Sequence, residues 1–315
     1  MSETSILPPD SELYRRLHEA AREQRWVFFA GLPGVGKSLL LQQLALLATQ
    51  AGRSVSLLQW DVARGPFETP AILACYPEVD GVTHAVIRKA AGVWARDAVG
   101  QWDQQHPSRS DILIGEVPLI GNRLIELVQR QDDRVEELLA GEQTLFLIPV
   151  PSREVRQAIE AARIREMADP QHDRERANAV PSLVDALWQE VATVARALGM
   201  TSEEAPSPNP SPVRGRGRRT ACSLSRARGR GWGGGQHRGF DPDVYAAVYQ
   251  HLLRHRHAER LDVTSVLPVR TSVYDALGAA RDLLPDTDDV RRVMDRVSAR
   301  PEADVDREVA DWFRV

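Results

Sequence analysis

WVFFAGLPGVGKSLLLQQLALLATQ, residues 26–50, decides how the rest of this chain is read. A five-residue apolar run leads into a glycine-rich turn, and a long apolar segment of helical character follows. Residues 31–38, GLPGVGKS, match the pattern G-x-x-x-x-G-K-[ST] at every fixed position. Gly31, Gly34 and Gly36 let the backbone fold tightly and turn successive N–H groups inward as an anion nest. A helix starting near Lys37 and ending before Gly52 directs its positive dipole end at the same place. Lys37 is then expected to bridge the β- and γ-phosphates of a nucleoside triphosphate, and Ser38 to offer its hydroxyl to Mg2+. Leu32, Pro33, Val35 and Leu39 complete the set of residues expected to touch the nucleotide. The strand–loop–helix setting separates this reading from that of a merely structural glycine turn.

Outward from this unit, short apolar runs alternate with helical segments. Residues 54–60, 111–117 and 144–150 read as strands, and 259–269 as a fifth. Helices are expected over 11–25, 84–102, 152–168, 181–198 and 241–256, and the tail 272–315 reads as two charged amphipathic helices. Alternation of this kind implies a parallel sheet covered on both faces. The expected fold is a three-layer α/β sandwich around a mostly parallel sheet of about five strands, with helical additions at the C-terminus. Trp94 and Trp102, eight apart on one helix face, are assigned to the core. His84, His106 and His172 show no metal-ligand spacing.

The 315 residues contain 43% hydrophobic and 27% charged side chains, enough apolar material for a real core. The net charge of −4 argues against a protein that coats nucleic acid. No apolar run reaches a membrane span's length, no secretory signal is evident, and Cys75 and Cys222 are too few for a disulfide framework. A cytoplasmic protein is expected. Among 40 basic residues only Lys37 and Lys89 are lysines, so a lysine kept here is more apt to be needed as one.

Residues 203–239 break the pattern, with proline and serine first, then arginine and glycine. Such a composition buries too little apolar surface to offset the entropy of ordering, and reads as a disordered insertion. Its eight arginines against two glutamates give +6, leaving 32 basic against 42 acidic residues elsewhere, or −10. The segment divides the chain into a nucleotide-binding core over 1–202, its completion over 240–271 and the helical tail from 272. An arginine–glycine segment of this kind can bind nucleic acid. It also resembles a translated GC-rich inverted repeat with no selected role.

Two acids stand at expected strand ends, where ligands of open α/β sheets bind. Glu116 follows DILIG and is the favoured metal-side carboxylate; Asp61 follows SVSLLQW. WDVARGPFE, residues 60–68, resembles the second-strand end of small-molecule P-loop kinases of the nucleoside, gluconate and phosphoribulose kinase type, and GEVPLIGNR, residues 115–123, resembles their third-strand end. The resemblance covers roughly residues 26–170. It implies a P-loop NTPase fold, ATP and Mg2+ as ligands, Asp61 as the acid that orients or deprotonates an acceptor hydroxyl, and Arg64 as an arginine that holds the substrate. No family-diagnostic lid motif is present. The helix over 152–168 stands where a lid belongs, with Arg156 and Arg163 seven apart on one face as candidate phosphate clamps; Arg174 and Arg176 follow it.

A kinase acting on a small-molecule hydroxyl is therefore one expectation. An ATPase switch that repacks helices against a protein partner is the other. A GTPase is disfavoured, because neither lysine follows an asparagine as guanine-reading N-K-x-D requires.

Overall fold

A computed structural model describes residues 5–79, 81–169, 181–200, 240–268 and 280–314. The stretch 203–239, with His172, Arg174 and Arg176, lies outside the described residues.

Helix α1 (Glu12–Glu23) is capped by the Ser11 side chain, and its Leu13, Leu17, Ala20 and Ala21 form one buried face. Strand β1 (Trp26–Ala30) is buried throughout. Helix α2 (Lys37–Gln50) follows the glycine-rich loop, then β2 (Ser54–Leu58), the short helices α3 (Trp60–Arg64) and α4 (Pro70–Cys75), and the long α5 (Ala85–Gln105). Strand β3 (Asp111–Val117), α6 (Arg134–Ala140), β4 (Thr144–Pro151), α7 (Arg153–Ala168) and α8 (Pro181–Ala197) come next. Beyond residue 239 stand α9 (Pro242–Leu252), β5 (Ala258–Val263), β6 (Arg281–Asp282), α10 (Thr287–Ser298) and α11 (Glu302–Asp311).

The six strands form one sheet in the order β5-β4-β1-β3-β2-β6, and every pairing is parallel. Alternate residues of β1 serve opposite faces. Val27 and Phe29 pack with Leu40, Leu41 and Leu44 of α2 and Leu17 of α1. Trp26, Phe28 and Ala30 pack on the other face with α5, α8 and α9. These are the three layers expected. The sheet has six strands rather than about five. The additional one, β6, lies inside the tail expected to be helical; a two-residue strand is too short to carry a period-two pattern. It pairs with Ser56 and Leu57 at the β2 edge.

The strand expected over 54–60 stops at Leu58, because Trp60 already opens α3. Trp102 meets Trp26 edge-on at 6.0 Å, and both Trp94 and Trp102 are buried in the core. The C-terminal helices pack Val293, Val297, Val305 and Val309 into the same core as α5.

Of the strands in the middle of the sheet, β1 sends its chain to a helix on the α1/α2 face, whereas β2 and β3 are followed by helices buried on the α5 face. Opposite departures from adjacent strands open a crevice at their carboxyl ends. The glycine-rich loop lies there.

Candidate functional site

Gly34 and Gly36 have φ of +84° and +88°, backbone that a side chain would strain by about 1–2 kcal/mol. Gly36 is the N-cap of α2, and the first turn of that helix holds no acid to neutralise its dipole. The loop is fastened at its start by Gly31 N–H donating to the Val117 carbonyl at 3.3 Å. A Cβ on Gly31 would lie 2.6 Å from Tyr245 Oη and 2.9 Å from Val35 Cγ2, so only glycine fits. The Leu32 peptide is held at both ends. Its N–H donates to Tyr245 Oη at 3.4 Å, and its carbonyl accepts from Lys37 Nζ at 2.9 Å. Leu32 and Val35 are buried, while Pro33, Gly34, Gly36, Ser38 and Leu39 line the half-open side.

Glu116 reaches the loop through strand register. It pairs with Phe29, one residue before the end of β1, and its Oε1 accepts from the Trp60 N–H at 3.2 Å. Burial raises the Glu116 carboxyl above its ordinary range, against the pull of Lys37. Burial likewise lowers the Lys37 ammonium to about 8, Glu116 and Asp61 opposing the fall and Arg163 and Arg123 adding to it. Glu116, Asp61, Arg123 and Arg163 therefore all lie within electrostatic reach of Lys37.

Asp61 sits in α3 with its side chain 56% exposed, and its Oδ1 lies 3.4 Å from Arg64 Nε. Arg64 also donates to Glu68 Oε1 at 2.9 Å and Thr83 Oγ1 at 3.1 Å. The two residues expected to act together are thus neighbours. Asp61 faces solvent at the crevice, and Arg64 is tied into a local network.

The two candidate clamps on α7 part company. Arg156 is buried, bonded to Glu160 Oε1 at 2.7 Å, and its Cζ lies 4.1 Å from the Trp188 ring and 4.8 Å from Phe240. That is an aromatic packing role, not the phosphate-facing one expected: a heptad turns the two side chains only about 20° apart, so it is the two turns along the axis that set Arg156 against Trp188 and Phe240. Arg163 is half-buried and within electrostatic reach of Lys37. Helix α7 itself crosses the loop, with Ile159 Cδ1 at 3.5 Å from where a Gly36 Cβ would stand.

Two residues of the site escaped sequence reasoning. Tyr245 contacts a loop more than 200 residues earlier in the chain; nothing local marks it. Arg123 stands in the segment 118–124, where Leu119, Asn122 and Leu124 all have φ near +57°. Six bonds pin that segment. Leu119 and Arg123 exchange backbone bonds, Arg88 donates to the Gly121 carbonyl, Gly121 N–H to Glu190, Tyr249 Oη to the Pro118 carbonyl, and Trp312 Nε1 to Asn122 Oδ1. Strained backbone held this firmly is a mark of functional segments. The adjacent Gly-Asn is a turn signal, but it does not announce which side chain the turn presents.

Fold and site together define an α/β protein with a glycine-rich loop at the carboxyl edge of a parallel sheet. No protein-family model, no curated protein and no solved structure matches this chain. Among the described residues, no helix is long and apolar enough to cross a membrane.

Proposed function

We propose that the chain has the P-loop NTPase fold, binds ATP with Mg2+ at residues 31–39, and transfers the γ-phosphoryl group to a hydroxyl of a small molecule. The observation that carries this reading is the loop itself. Two glycines at positive φ, an unneutralised helix start and a buried lysine converge where Glu116 enters from the next strand. Lys37 would exchange the Leu32 carbonyl for phosphate oxygens. Ser38 and Glu116 would hold Mg2+, directly or through water, and that ion would neutralise phosphate charge. Their chemistry suits it: a hydroxyl and a carboxylate are hard oxygen donors.

Asp61, exposed at the crevice, would accept the acceptor's hydroxyl proton as its oxygen attacks phosphorus. The bond from phosphorus to the bridging oxygen breaks, and ADP leaves with the electron pair. Arg163, within electrostatic reach of Lys37, would face the transferring charge.

The test is calorimetric titration of the full chain with ATP in Mg2+, beside Lys37→Ala. Losing a charge-assisted bond worth about 2–3 kcal/mol should weaken binding by about 30- to 150-fold. An Asp61→Asn variant should keep nucleotide affinity and lose phosphotransfer in an acceptor screen. Absence of Mg2+-dependent ATP binding by the wild type would sink the proposal.

One observation favours an ATPase switch instead: Trp312, beyond α11, bonds to Asn122 in the segment that follows Glu116. Hydrolysis stimulated by a partner protein, with no phosphorylated acceptor formed, would decide for that reading.

A further inference from the structure

The nucleotide chemistry leaves one crevice cation unused. Arg123 makes no hydrogen bond or ion pair through its side chain with any described residue. Its neighbours are otherwise engaged. Arg64 is bonded to Glu68 and Thr83 and paired with Asp61, and Arg88 donates to the Gly121 carbonyl at 2.7 Å. Arg123 is held nonetheless. Its N–H and carbonyl are both bonded to Leu119, and its Cζ stands 5.9 Å from the ring centroid of Trp60, the residue before Asp61.

A half-buried guanidinium given no acceptor by the protein loses part of its hydration without compensation, and a planar five-donor fork suits an oxyanion. Burial lowers the Arg123 guanidinium below its ordinary value; after burial, the charges that act on it most are Asp61, Arg64 and Glu116. Asp61, the exposed acid of the crevice, thus has Arg64 paired to it and Arg123 close by.

We propose that the crevice beside Asp61 takes a small molecule bearing a phosphate or carboxylate group, and that Arg123 holds that oxyanion while the molecule's hydroxyl faces Asp61. This rests on the phosphotransferase reading and narrows its acceptor to an anionic one. Arg123 is the binding determinant for the acceptor, and the nucleotide does not use it. Pinning the segment 118–124 by six hydrogen bonds serves this role, because a bidentate contact demands a fixed guanidinium.

The experiment uses the full chain saturated with Mg2+ and the non-hydrolysable β,γ-imido analogue of ATP, so that the loop's own anion site is filled. It is titrated by calorimetry with methyl phosphate and, separately, with acetate. The wild type should bind at least one of them, and Arg123→Gln should weaken that binding about tenfold or more, with affinity for the analogue within about twofold. Arg123→Lys should restore part of the loss and guards against a folding defect. Preference for methyl phosphate identifies a phosphorylated acceptor, and preference for acetate a carboxylated one.

Binding of neither anion, or equal binding by wild type and Arg123→Gln, overturns the proposal. If the analogue itself does not bind, the nucleotide reading fails separately. The same anion titrations on the unliganded Lys37→Ala chain, with and without Arg123→Gln, then still decide whether Arg123 holds an oxyanion.

Discussion

Lys37 carries a conflict that binding should resolve. Its ammonium is buried, bonded to the Leu32 carbonyl and lowered to about 8, with Glu116 and Asp61 only partly offsetting the loss of water. Phosphate oxygens beside it would favour the charged form and raise its pKa again. Free protein at a pH above about 8 is therefore short of a proton that the complex holds, so binding must take one up. Calorimetry at about pH 8.5 in buffers of different ionisation enthalpy should show uptake of a substantial fraction of a proton per ATP. At about pH 6.5, where free and bound Lys37 are both charged, Lys37 should contribute none. A Lys37→Met variant should abolish the pH-8.5 uptake. Uptake that survives in the variant would assign the proton to another group. The place of Lys37 at the start of α2 was legible in the sequence because the loop pattern fixes its position. Arg123 was not, since its significance lies in what it fails to pair with, and an arginine-rich sequence does not display pairing.

At the scale of elements, the second lysine has a structural task. Lys89 of α5 lies 3.0 Å from Glu126 Oε1 and 2.5 Å from Glu308 Oε1, joining α5, the turn after β3 and α11. Gly92, one turn along α5, leaves room for the Glu126 carboxylate, which a Cβ there would strike. Burial raises the Glu126 carboxyl despite Lys89, whereas the two acids hold Lys89 above its ordinary value against burial. Removing one partner of a buried pair costs about 3–5 kcal/mol, because the other charge is left uncompensated. Lys89→Met should therefore destabilise the fold by that order at pH 8.

The loss should shrink toward pH 5. Without Lys89 the folded-state carboxyl of Glu126 rises further above its unfolded value, so its favourable contribution is present at low pH and lost as pH rises through the folded pKa. Urea unfolding at both pH values checks this, and Glu126→Gln on the Lys89→Met background should recover stability at pH 8. The scarcity of lysine hinted that Lys89 was needed as lysine. Its partners, 37 and 219 residues away, could not be read from local pattern. Long periodic elements such as α2, α5 and α7 were legible, because burial of one face imposes a period. Two-residue β6 and the pinned segment 118–124 were not, because their geometry comes from neighbours.

For the whole molecule, the chain on either side of residues 203–239 builds one site. Trp188 of α8 meets Phe240 at 5.0 Å and Tyr245 at 5.3 Å, and Tyr245 bonds to Leu32 in the glycine-rich loop. Strand β5 covers the β4 edge, with six residues in parallel register from Phe146 to Pro151. Ending the chain at residue 200 would expose that edge, remove Tyr249 from the Pro118 carbonyl and empty the space that excludes a Cβ at Gly31. An open edge next to lost core aromatics invites association between chains. Such a truncation should aggregate or melt far below the full chain, and should lose ATP binding entirely. Replacing 203–239 with a short glycine–serine linker makes the opposite prediction. Loop-closure entropy changes only slowly with length, so a shorter connection between α8 and α9 should cost the fold little. The shortened chain should keep its melting temperature and bind ATP within about threefold of the full chain. Side-by-side thermal melts and ATP titrations of both variants test this. Binding lost on linker replacement, with the melt unchanged, would instead give residues 203–239 a direct part in binding ATP.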